Sequence, residues 1–301
     1  MASRESQIVR QYLQKAKERS QTGKETSIEQ RRKEAERMLG GVPLDPDVKV
    51  EKLNVEGIPA EWVVAPDAVE EHVFLYLHGG AYILGSCETH RELAARLSRA
   101  TATRVLVIEY RLAPEHPYPA AVEDAVTAYR WLLSTGVSPE QIVVGGDSAG
   151  GGLSMALLLS LKEAGEPLPS CAVLLSPWTD MEGTGESMKS RAHRDPWLEP
   201  QSVRATSTLY TQDLDPRHPL VSPIYGDLQG LPPLLVHVGE DEILLDDSVR
   251  LVERARDAGV DVTFKRWEEM WHVFQGFAAK VPEGRQSIAE IGEYVADKLS
   301  S

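Results

Sequence analysis

Six consecutive residues, Gly146-Asp147-Ser148-Ala149-Gly150-Gly151, carry the strongest chemical signal in the sequence. They follow an apolar run at 142–144 and open a second apolar stretch at Ala149, so strand, tight turn and helix are expected in that order. A serine flanked by small residues on such a turn stands clear at the strand's carboxyl end, and the following helix points its positive end at it. That placement suits a nucleophilic hydroxyl. Such a serine needs a base and an acid to orient the base, and with this kind of elbow they follow in the chain order Ser, acid, His. Of eight histidines, His272 alone lies beyond the run 234–238, the strand whose end should carry the acid. His237 falls inside that run and is expected to be buried. The acid itself is underdetermined, because Glu240, Asp241, Glu242, Asp246 and Asp247 crowd the turn after the run. Asp246 and Asp247 suit the N-cap and first turn of the next helix. Asp241 and Glu242 remain.

An ester or amide attacked by Ser148 develops a negative oxygen that must be met by donors. His78-Gly79-Gly80-Ala81-Tyr82 directly follows the apolar run 74–77. Its consecutive glycines leave amides uncovered, so Gly79 and Gly80, with Ala149, are the expected donors. His78 is expected to fix this loop without titrating.

The elements that must position these groups are legible as runs. β-rich segments at 48–55, 62–65 and 73–77 come first, then strands at 104–109, 142–144, 172–175, 234–238 and 262–267. Helical patterns at 120–133, 149–164, 246–258 and 285–299 alternate with the later strands. Strands apolar at nearly every position, each followed by a helix, imply a parallel sheet covered on both faces. Two antiparallel strands are expected to begin it. Residues 178–230 break the alternation and carry five prolines, with Pro177 just before them; so long a stretch implies an insertion with helices of its own, one of them at 201–210. Residues 1–40 read as one or two amphipathic helices, with Ile8, Tyr12 and Leu13 and then Ile28, Ala35 and Met38 at helical spacing, stopped by Gly40-Gly41.

Composition excludes several classes. The 301 residues carry a net charge of −14, split between +4 for residues 1–40, with ten basic and six acidic groups, and −18 for the remainder. An acidic body of that size argues against nucleic-acid and anionic-membrane partners. Cys87 and Cys171 lack disulfide-framework or metal-ligand spacing and read as buried thiols in a reducing compartment. No apolar leader follows Met1 and no run reaches the roughly 18 apolar residues of a membrane span, so a cytoplasmic location is expected. Nothing in the sequence asks for a metal or an organic cofactor.

Taken together these motifs resemble the bacterial hormone-sensitive-lipase branch of the α/β-hydrolase esterases, over about residues 45–301. His78-Gly79-Gly80-Ala81 is similar to that branch's H-G-G-G loop, with alanine in place of the last glycine, and Gly146–Gly151 to its G-D-S-A-G-G elbow. Tyr110-Arg111-Leu112-Ala113-Pro114-Glu115-His116-Pro117-Tyr118-Pro119-Ala120 is a further signature, expected to be a structural turn beside the elbow. The branch pattern G-x-x-D-x-L-x-D, set on Gly239, Leu244 and Asp246, puts Glu242 in the acid's place, where most relatives have aspartate. The resemblance implies an α/β-hydrolase fold with an eight-stranded, mostly parallel sheet and a helical cap. The cap would consist of residues 1–45 and 181–225 over a core of 46–180 and 226–301, with Trp197, Leu198, Tyr210 and Leu214 as candidate pocket walls. It implies a serine carboxylesterase acting on small, short-chain esters through Ser148, His272 and Glu242. A lactone or N-acetyl substrate is the alternative for the same triad. It also allows a homodimer through the last strand and helix. A non-catalytic binding role, known in this branch where the histidine is replaced, is disfavoured because every required residue type is present.

Overall fold

The computed structural model describes residues 2–22 and 26–300; Met1 and residues 23–25 of the expected N-terminal segment, and Ser301, lie outside the described residues. Among the described residues, eight strands form one sheet: β1 (Lys49–Val55), β2 (Ile58–Val64), β3 (Val69–Leu77), β4 (Thr103–Ile108), β5 (Ile142–Asp147), β6 (Cys171–Leu175), β7 (Leu234–Gly239) and β8 (Val262–Trp267). Their spatial order is β1-β2-β4-β3-β5-β6-β7-β8. β2 runs antiparallel to both of its neighbours, β1 and β4, and all remaining neighbours are parallel. The chain steps from β3 outward to β4 and returns on the other side of β3 as β5. That reversal opens a crevice at the carboxyl ends of β3 and β5, where ligands bind in open sheets of this type. The register aligns Leu77 with Gly146, Asp147 with Leu175 and Leu175 with His237, so the turns after β3, β5, β6 and β7 converge at one edge.

The helices are α1 (Arg4–Thr22), α2 (Ile28–Ala35), α3 (Cys87–Thr101), α4 (Ala120–Ser134), α5 (Ala149–Glu163), α6 (Ser187–Ser190), α7 (Pro200–Thr211), α8 (Leu245–Asp257) and α9 (Pro282–Leu299). Alternation along the central strands feeds two layers. Val73, Leu75 and Leu77 pack with α4 and α5, whereas Phe74 and Tyr76 pack with α3 and α9. The sequence reading omitted α3, although Ser86 and Thr89 form a capping box ahead of its buried Leu93, Ala94 and Leu97. The insertion between β6 and β7 holds α6 and α7, as expected of so long a stretch. The buried face of α1 differs from the expected one: Val9 and Leu13 are buried with Ser6, while Ile8 and Tyr12 are exposed. Spacing alone could not tell which of two overlapping stripes faces inward. Val9 and Leu13 join Trp267, Met270, Trp271, Phe274 and Val281, so α1 docks on the segment around His272. No helix among the described residues is long and apolar enough to cross a membrane.

Candidate active site

β5 delivers Ser148 at φ 54°, ψ −120°, a conformation L-residues rarely adopt. Its amide donates to Leu175 O at 2.8 Å and its carbonyl accepts from Trp178 N–H at 2.9 Å, so both backbone groups are held. The flanking glycines are sterically required. A Cβ on Gly150 would lie 1.9 Å from Leu77 O and one on Gly146 2.1 Å from the same atom. Strand and helix can cross this closely only without side chains there, which is the physical content of the motif.

Glu242, from the turn after β7, and His272, from the turn after β8, meet each other. His272 Nδ1 lies 2.9 Å from Glu242 Oε1, and both side chains are buried whereas Ser148 is half-buried. Burial alone would lower the His272 pKa, but the charge and hydrogen bond of Glu242, with lesser contributions from Asp195 and Asp147, leave it above its ordinary value. The other Glu242 oxygen accepts from Ser176 Oγ at 2.7 Å and from Gly239 N–H at 2.9 Å. Ser176 Oγ in turn accepts from Val273 N–H at 3.1 Å. Ser176 thus ties the acid to the base turn and, through neighbouring Leu175, to the elbow. Reasoning from sequence missed it. The available signal was its place just past β6, at the sheet edge where the other site residues gather.

Each remaining carboxylate of the acid turn has a separate partner, Glu240 pairing with Arg266 at 3.7 Å. Asp241 pairs with Arg10 of α1 and Arg194 of the insertion, both at 2.5 Å. Asp246 accepts from Ser187 N–H at 2.8 Å. Asp247 accepts from the amides of Thr179 and Asp180 at 2.8 and 2.9 Å. Asp246 and Asp247 both sit in the first turn of α8, whose N-cap is Leu244 and not Asp246. The sequence left Asp241 and Glu242 open; the structure puts Glu242 on the histidine and Asp241 on two arginines.

The loop after β3 corrects one expected donor. Gly79 N–H donates to Asp147 Oδ1 at 3.0 Å, so this amide is engaged and cannot serve an oxyanion. Tyr76 OH donates to the same oxygen at 2.7 Å and His90 Nε2 lies 3.3 Å from it. Burial would raise the Asp147 pKa, yet His90, Tyr76 and the Gly79 amide hold it below its ordinary value. Among the described residues the amides of Gly80 and Ala81 meet no acceptor. Gly80, Ala81 and Tyr82 have successive φ values of 126°, 55° and 60°, a run of positive φ. His78 stacks on Tyr110 at 4.1 Å, and burial lowers its pKa to about 3, so it stays neutral as expected. Tyr110, from the turn read as structural, also donates its hydroxyl to His78 O at 2.7 Å.

Strain points to the same place. Of nine non-glycine residues with positive φ among those described, Ala81, Tyr82, Ser148, Ser176 and Val273 all belong to these converging turns. Each such residue costs of order 1–3 kcal/mol, and the surrounding structure must over-determine it. Of the candidate pocket walls, Trp197 meets His272 in an edge-on arrangement with ring centroids 6.1 Å apart. Tyr210 is fully buried and stacks on Tyr82 at 3.8 Å, which makes it a packing residue and not a wall. Leu198 and Leu214 pack partly buried against the main core. His237 is buried within β7, with Nδ1 2.8 Å from Ser287 Oγ. An open cleft of about 430 Å³ between α1 and the insertion is lined by Arg10, Arg194 and Asp241, but not by Ser148 or His272. It is outside the catalytic centre.

With this geometry the comparisons agree. The alpha/beta hydrolase fold family matches residues 74–276. The chain is 42% identical over 298 residues to an acetyl-hydrolase of Streptomyces hygroscopicus, covering 98% of this chain and 97% of that one. It is 42% identical over 253 residues to an esterase of Acinetobacter venetianus, covering 84% and 83%. A crystal structure of an esterase from the bacterial hormone-sensitive lipase family superposes with a TM-score of 0.95 at 49% identity, covering 99% of each chain. The chain belongs to the α/β-hydrolase fold family, in its bacterial hormone-sensitive-lipase branch of carboxylic ester hydrolases.

Proposed function

We propose that the protein hydrolyses small, short-chain acyl esters through an acyl-enzyme formed on Ser148. His272 Nε2 takes the Ser148 proton as Oγ attacks the carbonyl carbon, then gives that proton to the departing alkoxide. Glu242, bonded to Nδ1, fixes the tautomer and stabilises the imidazolium. Water then attacks the acyl-serine with His272 again as base, releasing the carboxylic acid and restoring Ser148. The carbonyl oxygen is held by the amides of Gly80, Ala81 and Ala149 in place of the expected set that included Gly79. The observation that carries this reading is the 2.9 Å contact between His272 Nδ1 and Glu242, together with a serine held at positive φ where β5 ends.

Residues 1–45 and 181–225 act in this reading as the cap, with Trp197 as a wall near the reacting carbon. The preference for short acyl groups is supported by the name of the Streptomyces relative, an acetyl-hydrolase. That name speaks of an acetyl group on the relative's substrate and leaves open the atom bearing it. The test is therefore hydrolysis of p-nitrophenyl esters from two to sixteen acyl carbons, with Ser148→Ala alongside and a matched acetate and acetamide pair. Turnover peaking at short chains, lost in the variant and faster for the acetate is the expected result. Folded protein that ignores every ester and cleaves the acetamide would replace this reading with amide hydrolysis.

A further inference from the structure

The N-terminal arm reaches the site with two arginines, one on each side. Arg10 of α1 donates through Nη2 to Asp241 Oδ2 and to Glu269 O at 2.8 Å, and through Nη1 to Arg194 O at 2.9 Å. Asp241 immediately precedes Glu242, and its amide donates to Met270 O at 3.0 Å, two residues before His272. One guanidinium therefore joins the acid turn, the base turn and the insertion. Arg32 of α2 donates through Nε to Ile83 O at 2.8 Å and through Nη2 to Ala113 O at 2.9 Å. It also forks onto Glu115 at 2.9 and 2.8 Å, and these bonds lower the Glu115 pKa to about 2. Ile83 N–H closes the loop back onto Gly80 O at 3.1 Å, so Arg32 grips the end of the turn whose Gly80 and Ala81 amides meet no acceptor among the described residues. Both arginines keep only 27% of their side-chain surface exposed. A planar fork can serve several acceptors on separate segments at once, and an ammonium cannot match that geometry.

We propose that Arg10 and Arg32 are positioning residues, through which the arm sets the geometry of the acid–base pair and of the oxyanion loop, so that it governs turnover as well as access. The proposal rests on the triad reading above. It explains why the positive charge of the chain is concentrated in the arm that lies against an acidic body. Misplacement by about 1 Å can cost up to 10²-fold in rate, so a loss confined to kcat is the expected signature.

The test uses the full chain with Arg10→Ala, Arg32→Ala and the two lysine variants. Lys33→Ala serves as control, because Lys33 pairs with Glu29 on the exposed side of the same arm. With p-nitrophenyl acetate, kcat should fall roughly tenfold or more in each alanine variant while KM stays within about twofold. The lysine variants should recover part of the loss, and the control should match the parent. Inhibition by a boronic acid, which forms a tetrahedral adduct on serine, should weaken in Arg32→Ala in step with kcat/KM. Folded alanine variants with unchanged kcat, or a loss lying wholly in KM, would overturn the proposal. Should an alanine variant fail to fold, its lysine counterpart and Glu115→Gln carry the same comparison, and parent-like kcat in both would also overturn it. Ser148→Ala separates the two readings: activity retained there defeats the triad, whereas activity lost there with parent-like arginine variants defeats the tether alone.

Discussion

The turn that carries Ser148 and the turn that carries Glu242 close parallel strands of the same sheet, yet they are held by different forces. The elbow is fixed by what its residues lack. Gly146 and Gly150 let α5 and β3 approach until any side chain would overlap Leu77 O, and Ser148 is bonded through its backbone. The acid turn is fixed by what its residues reach. Asp241, Asp246 and Asp247 draw in Arg10, Arg194, Ser187, Thr179 and Asp180 from three distant segments. A local steric rule therefore governs the Ser148 turn, and long-range polar partners govern the Glu242 turn.

The comparison breaks first at the reacting groups. Ser148→Ala and His272→Ala should each lower kcat by about 10⁵–10⁶ with the fold intact, measured by ester turnover and near-ultraviolet circular dichroism. Next comes the pair that the sequence could not separate. Glu242→Ala should cost about 10⁴ in kcat, whereas Asp241→Ala should cost roughly tenfold or less through geometry alone. The reverse ranking would assign the acid to Asp241 and dissolve the contrast between the two turns.

The elbow's steric rule is sharpened by two glycines. Gly150→Ala should destabilise the fold by more than about 3 kcal/mol, since the new methyl meets strand backbone. Gly57→Ala, in an open hairpin at φ 96°, should cost only about 1–2 kcal/mol, both read from denaturant midpoints. The smallest effect concerns pH. Because the His272 pKa is raised in the fold, its contribution to stability is complete below its ordinary 6.5 and is lost as pH rises through the folded value. Catalysis needs the neutral ring, so kcat/KM should climb across that same window. Glu242→Gln should move the rise to lower pH.

This division also explains what the sequence disclosed. The strand series and the strand–turn–helix around Ser148 were legible because they depend on local periodicity and glycine sterics, and chain order singled out the histidine that pairs with Glu242. α3 was overlooked although its Ser86 cap was visible, since no chemistry drew attention to it. Gly79 was misassigned because its partner Asp147 is 68 residues away and meets it only through the β3–β5 register. Ser176 and the arginines of the N-terminal arm were silent for the same reason. Their contacts exist only once distant turns have been brought to one edge of the sheet.

Covalent labelling by a serine-directed phosphonate, followed by peptide mass spectrometry, tests the central claim most directly. The account predicts one adduct, on Ser148, formed in proportion to the loss of esterase activity and abolished or strongly slowed in His272→Ala. An adduct at another residue, or full loss of activity with Ser148 unmodified, would contradict it.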